Sequence, residues 1–328
     1  APSPPPMRHM VRSSPSTGDG VPTAGAPGAA VPREEALRQA KEEAGGKAAN
    51  LGELARNGFN VPPGFCVTSD SLFHLINHND LQAKIDAIIS TLDYEDFGAL
   101  EEKTAEIRNA ITSAVIPDDL LQELKQSIEE LYRGEEPFVA VRSSVSVKDS
   151  PISSFPGMMD TYHYIKGEEE IMKHIKMCWG SLWTARATIS RFHKGIDHHL
   201  GLIAPIVQKM VHSETAGVLF TANPITSVRD EMIIEANWGL GESVVSGKSM
   251  NDFFVITKSP LRLKDRKISK KTLIICFDEE KGYGRREMEV DPERMGAPTL
   301  TEEQALQLGE IGLKIEALFE FPQDIEWA

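Results

Sequence analysis

The hydrophobic pattern changes its period near residue 200, and this change limits what the chain can fold into. Before it, apolar residues recur at helical spacing, as in Leu120, Leu121, Leu124, Ile128 and Leu131 after a start at Pro117-Asp118-Asp119. Helices are also expected over 33–43, over a second segment opened by Gly45-Gly46-Lys47, after the caps Ser69 and Asp70, and over about 169–192. Two short strands interrupt them, one fed by the Pro62-Pro63 turn and one at 138–141 that runs into a loop of small and polar residues from Arg142 to Gly157. Beyond residue 202 strand signals dominate, at 203–211, 217–221, 232–236, 252–257 and 272–277. A last helix begins with a capping box, Thr301 and Gln304, and carries Ala305, Leu308, Ile311, Ile315 and Leu318. The expected fold class is α+β in two lobes, a helix-rich one over 33–200 and a strand-rich one over 201–328.

A length of 328 residues agrees with about two domains. The net charge of −14, from 35 Lys and Arg against 49 Asp and Glu, argues against a nucleic-acid binder, whose affinity rests on clustered cations. Cys66, Cys178 and Cys276 show no C-x-x-C spacing and fit neither a zinc knuckle nor a disulfide framework, which points to a reducing, cytoplasmic setting. No apolar run approaches the roughly 20 residues of a membrane span, so no membrane segment is expected. Residues 1–32 hold eight of the 20 prolines and show no periodicity, and are expected to form a disordered extension. Arg8, His9 and Arg12 beside a single acid, Asp19, suggest an organellar transit peptide only faintly, because no amphipathic face accompanies them.

Chemistry has five candidate places. Gly45-Gly46-Lys47 at a helix start offers main-chain N–H donors and a mobile cation to an anion, and the same pair serves equally to end one helix and start the next. Arg142 ends an apolar strand, and Ser143, Ser144, Ser153 and Ser154 with Gly157 can form a loop over phosphates; a polar surface loop reads the same way. Gln208, Lys209, Met210 and Val211 end a strand whose main chain can read an adenine edge beside Met210, or they belong to a plain hairpin with Met210 in the core. Glu235, Glu242, Asp324 and Glu326 are hard oxygen ligands suited to Mg²⁺ beside phosphates, and alternation puts Asp324 and Glu326 on one face. His193, His198 and His199 match no zinc spacing and read as a polar helix end.

Taken in order, GGKAANLGEL, VPPGFCVT, VAVRSS, SSFPGMMDT, VQKMV, GVLFTANP, IIEANWGLGE and DIEWA resemble the nucleotide-binding region of the dikinase family, which includes phosphoenolpyruvate synthase, pyruvate, phosphate dikinase and rifampicin phosphotransferase. The resemblance runs from Gly45 to Ala328 and implies an ATP-grasp fold whose two lobes hold Mg-ATP. It implies that Gly46, Lys47 and Arg142 bind phosphates, with 143–161 as a lid that includes Ser143 and Ser144. Gln208, Lys209, Met210 and Val211 would contact adenine, Glu235 and Glu242 would lie on the nucleotide side, and Glu326 with Asp324 would hold Mg²⁺. In the family the β-phosphoryl group of ATP passes to a histidine on a separate domain and then to pyruvate or another acceptor. That phosphohistidine domain and the acceptor-binding domain are expected downstream, as is a Gln-x-Arg segment that normally follows DIEWA, so this chain is read as a piece not competent for full turnover. PGMMDT resembles pyruvate, phosphate dikinase, whereas VAVRSS, GLGESVVSG and DIEW favour a synthase-like or antibiotic-modifying member. A nucleotide-sensing module that has lost catalysis is the alternative of another class.

Overall fold

The computed structural model describes residues 10–13, 33–147 and 160–328, and the chain divides into two compact units, 1–210 and 211–328. The first unit runs β1 (Met10–Ser13), α1 (Arg33–Arg56), β2 (Gly64–Val67), α2 (Asp70–His78), α3 (Gln82–Ile89), α4 (Phe97–Ser113) and α5 (Asp118–Tyr132). It continues through β3 (Val139–Val147), β4 (Thr161–Ile165), α6 (Glu168–Ser181), α7 (Ala185–His193) and β5 (Gly201–Lys209). The strands form one antiparallel sheet in the order β1-β2-β5-β3-β4. Phe65, Val67, Val139, Val141, Ile203 and Val207 point from one face into a large core with the inward sides of the helices, including Leu75, Ile107, Leu124 and Trp179. Cys66, Ala204 and Ile206 point from the other face to Ala44 and Ala48 of α1. The division falls after β5 because that strand is the middle of this sheet.

Three local expectations change here. Strand β3 does not end at Arg142 but continues to Val147, paired residue by residue with β5 from Val139↔Lys209 to Val147↔Gly201. Main-chain pairing over nine residues outweighs the weak strand tendency of a serine-rich run. The helix expected over 169–192 breaks at 182–184, where the Thr184 side chain accepts from the Ala187 N–H and caps a new helix. Met10–Ser13, inside the segment read as disordered, form an edge strand on β2, whose order comes from main-chain pairing and leaves no side-chain pattern. Ser153, Ser154 and Gly157, and the rest of the expected lid over 148–159, lie outside the described residues, as do 1–9 and 14–32.

The histidine cluster also differs from a polar helix end, since His198 is buried. Arg191 Nε donates to His198 Nδ1 at 3.1 Å, so the ring is neutral with its proton on Nε2, which faces the Tyr94 hydroxyl at 2.8 Å. Arg191 is itself fully buried, donates to the Leu182 carbonyl at 2.7 Å and lies over the Trp183 ring. Among the described residues no three His, Cys, Asp or Glu side chains converge as a metal site, and no helix is long and apolar enough to cross a membrane.

The second unit runs β6 (Thr215–Phe220), β7 (Glu231–Trp238), α8 (Glu242–Val245), β8 (Asp252–Lys258), β9 (Leu261–Lys267), β10 (Leu273–Phe277), β11 (Arg285–Glu289), α9 (Pro292–Met295), α10 (Glu302–Phe319) and β12 (Asp324–Trp327). Five strands make an antiparallel sheet in the order β12-β6-β7-β8-β9, and β10 and β11 form a separate ribbon. Leu219, Met232, Ile234, Phe254 and Ile256 pack with Ala305 of α10 on one face. The helix comes close because a Cβ on Gly312 would lie 2.7 Å from Leu219 Cδ2; its buried stripe is Ala305, Gly309, Gly312 and Ile315, while the expected Ile311 is exposed. Sequence reading missed β9 and β11, whose residues LRLKDRK and RREME are mostly charged edge positions without clean alternation.

A fully buried ion pair locks this unit. Lys271 Nζ donates to Asp252 Oδ1 at 2.6 Å and to the Ser269 carbonyl at 2.8 Å. The same carboxylate accepts from Ser269 N at 2.9 Å, Thr299 N at 2.8 Å and Thr299 Oγ1 at 2.9 Å, tying β8 to the start of α10. Removing one member leaves an uncompensated buried charge, so Lys271→Met should cost about 3 kcal/mol or more in urea melts.

Burial, with the Arg191 cation beside it, pushes the His198 pKa down to about 4. The unfolded chain protonates this ring near pH 6.5, so its contribution to stability is full above that pH and is lost as pH falls toward about 4, then levels off. A His198→Gln variant should flatten the decline of stability between about pH 7 and pH 4 in denaturant melts; an unchanged slope would assign the proton uptake to another group.

Candidate functional site

Helix α1 is two helices joined at Gly45, whose φ of 75° and ψ of 165° interrupt the helical path. A new first turn therefore starts at Gly46, Lys47 and Ala48, with main-chain donors that have no helical partner. Strand β3 holds this turn: a Cβ on Gly45 would overlap Ser144 Oγ, and the Ala48 N–H donates to that hydroxyl at 3.4 Å. Register pairs Ser144 with Ala204 and Arg142 with Ile206, and both partners face α1, so Arg142 and Ser144 share the α1 side of the sheet. Ser143 pairs with Pro205 and points to the opposite face. Arg142 is half-buried and Lys47 is exposed, so a strand-borne guanidinium and a lysine belong to the same face as a fresh helix N-terminus. Ser144 serves as the bracket between strand and helix.

The end of β5 is tied to the Pro62-Pro63 turn. Gln208 Nε2 donates to the Pro62 carbonyl at 3.0 Å, so this buried side chain holds the turn. The Lys209 N–H donates to the Pro63 carbonyl and the Met210 N–H to the Phe138 carbonyl, each at 2.9 Å. Pro63 has no N–H to return, so the Lys209 carbonyl lacks the reciprocal ladder bond and remains an acceptor beside exposed Val211.

In the second unit, strand pairing sorts the carboxylates. Asp324 and Glu326 are exposed on one face of β12, while Ile325 and Trp327 turn to the α10 core. The Trp327 ring lies against Gly217, where a Cβ would come within 2.7 Å of it. Glu326 pairs with Val218 and Val218 with Glu235, which puts Glu326 and Glu235 in one cross-strand row, about 10 Å apart over two strand spacings. Glu235 Oε2 accepts from Asn251 Nδ2 at 3.1 Å. Glu242, first in α8, pairs with Arg285 of β11 at 2.7 Å and lies outside that row. Asp324 and Glu326 are hard oxygen donors of the kind that could hold a divalent cation. Asn251 and Arg285 carry no signal in the sequence, because each acts through a partner from another element.

The family model described as pyruvate phosphate dikinase, AMP/ATP-binding domain, matches residues 41–328. The phosphoenolpyruvate synthase of Pyrococcus furiosus is 38% identical over 323 residues, covering 87% of this chain and 40% of its own length. The probable phosphoenolpyruvate synthase of Staphylothermus marinus is 41% identical over 307 residues, covering 87% of this chain and 37% of its own. The rifampicin phosphotransferase of Bacillus subtilis is 41% identical over 290 residues, covering 86% of this chain and 32% of its own. The chain thus spans two-fifths or less of the length of these relatives.

Any side chain at residue 45 must adopt a left-handed conformation and displace Ser144. Gly45→Ala should lower stability by roughly 1–3 kcal/mol in denaturant melts, whereas Gly46→Ala, with open space at its Cβ, should change little.

Proposed function

The chain belongs to the pyruvate phosphate dikinase AMP/ATP-binding domain family, and from that premise we propose that it binds Mg-ATP in an ATP-grasp manner and donates a phosphoryl group from it. The observation that carries the reading is the bracket at Gly45 and Ser144, which brings the first turn at Gly46-Lys47 and the strand-borne Arg142 to one face of the first unit's sheet. Lys47 and Arg142 neutralise the phosphates, and the Gly46 and Lys47 N–H groups donate to them. The Lys209 carbonyl and Val211 meet the adenine edge. Asp324 and Glu326 would hold Mg²⁺, which supplies charge neutralisation on the phosphate oxygens when bound.

Phosphoryl transfer needs alignment and charge stabilisation more than covalent chemistry from the protein, and these side chains are suited to that work. The β-phosphoryl group goes to a histidine of a phosphohistidine domain in the longer protein, and then to an acceptor held by a further domain. Similar identity to synthases and to a rifampicin phosphotransferase supports either pyruvate or an antibiotic hydroxyl as acceptor. Three free cysteines, two of them buried, suit the cytoplasm.

Calorimetry with Mg-ATP tests the reading. The chain should bind the nucleotide, Lys47→Ala and Arg142→Ala should each weaken binding tenfold or more, and chelation of Mg²⁺ should weaken it in the parent but much less in an Asp324→Asn, Glu326→Gln variant. Absence of ATP binding by a folded chain would refute the assignment.

A further inference from the structure

Behind Glu235 runs a chain of side-chain amides whose direction is set at its root. The Trp238 main-chain N–H donates to Asn237 Oδ1 at 2.8 Å, which leaves Asn237 Nδ2 to donate to Asn251 Oδ1 at 3.2 Å. Asn251 Nδ2 then donates to the Val244 carbonyl and to Glu235 Oε2, each at 3.1 Å. Flipping the Asn251 amide would set its oxygen against a carbonyl and a carboxylate, and its nitrogen against the Asn237 nitrogen, so one orientation alone satisfies the groups around it. Asn237 is fully buried, which protects the root of the chain from exchange with water.

This arrangement does something specific to Glu235. One carboxylate oxygen is occupied, which restrains the group, and among the described residues Oε1 is left as the acceptor offered to a ligand. An ionised carboxylate only accepts, so it selects a hydroxyl or N–H donor. It lies on the face that carries Asp324 and Glu326, in the same cross-strand row as Glu326 and about 10 Å from it. A nucleotide with its outer phosphates at Asp324 and Glu326 can reach Glu235 with its sugar.

We propose that Asn251, backed by Asn237, is a positioning residue that aims Glu235 at the sugar hydroxyls of the bound nucleotide. The proposal rests on the Mg-ATP reading above. The relay makes a hydrogen bond that only a nucleotide with sugar hydroxyls can use, so its signature is discrimination between nucleotides and not general affinity.

The experiment is calorimetry of the whole chain with three magnesium-loaded probes: ATP, 2′,3′-dideoxy-ATP and inorganic tripolyphosphate. The parent should prefer ATP over the dideoxy analogue by about tenfold, since a hydrogen bond to a charged acceptor is at stake. Asn251→Ala should remove most of that preference by weakening ATP alone, with the dideoxy analogue and tripolyphosphate unchanged. Asn251→Asp, of equal size, puts an acceptor where a donor is needed and should remove it too, which keeps the test available if the alanine variant folds poorly. Equal weakening of all three probes would mark Asn251 as merely structural and overturn the proposal. So would a parent that binds ATP and the dideoxy analogue equally while still binding tripolyphosphate through Lys47, a result that leaves the phosphate assignment standing. Failure of the folded parent to bind any of the three would overturn both.

Discussion

The Ser144 hydroxyl occupies the space that a side chain at residue 45 would need, and the candidate site of the first unit depends on that contact. A glycine in the left-handed region breaks α1, and the break exposes a second helix N-terminus in the middle of what would otherwise be one helix. The Ala48 N–H then binds the same hydroxyl, so the new turn is seated on β3. Because β3 and β5 pair without a slip from Val139 to Val147, seating Ser144 also sets where Arg142 lies along the sheet. A polar contact between two residues about a hundred positions apart thereby relates a lysine on a helix to an arginine on a strand. Neither residue needs to touch the other for this to hold.

The second unit reaches a comparable result with a two-sided sheet. One face is apolar and closed by α10, which approaches closely at Gly309 and Gly312. With Ile325 and Trp327 committed to that face, alternation turns Asp324 and Glu326 to the other. The buried pair of Lys271 and Asp252 holds β8 against the entry to α10, and the two partners compensate each other's charge inside the protein. Asn251, the residue before Asp252, lies next to that fixed point, which gives its relay to Glu235 a rigid base.

Charge takes on a more specific meaning in this light. A chain with a net charge of −14 repels polyanions at long range, so binding a triphosphate requires cations gathered locally and a metal recruited to the carboxylates. In the proposed reading, Lys47 and Arg142 would meet the first need and Asp324 with Glu326 the second. Acidity overall is consistent with nucleotide binding once positive charge is local; it weighs only against extended nucleic-acid backbones.

Features that depend on near neighbours were legible in the sequence. The glycine pair at 45 and 46, the capping box of Thr301 and Gln304, and the alternation that puts Asp324 and Glu326 on one face all appear in the structure as the residues suggest. Features that depend on a distant partner were not. The extension of β3 through Ser143 and Ser144 needs β5, the inward turn of His198 needs Arg191 and Tyr94, and the charged strand β9 needs β8. The turn at Pro62 needs the Gln208 amide, and the place of Asn251 needs Asn237 and Glu235 on either side of it. Torsional preference, capping and alternation act over a few residues, so the order of residues alone sets which local conformations and which chemical groups are present. Which of those groups are spent on holding the fold emerges in three dimensions, because hydrogen bonding and burial are settled by residues far away along the chain.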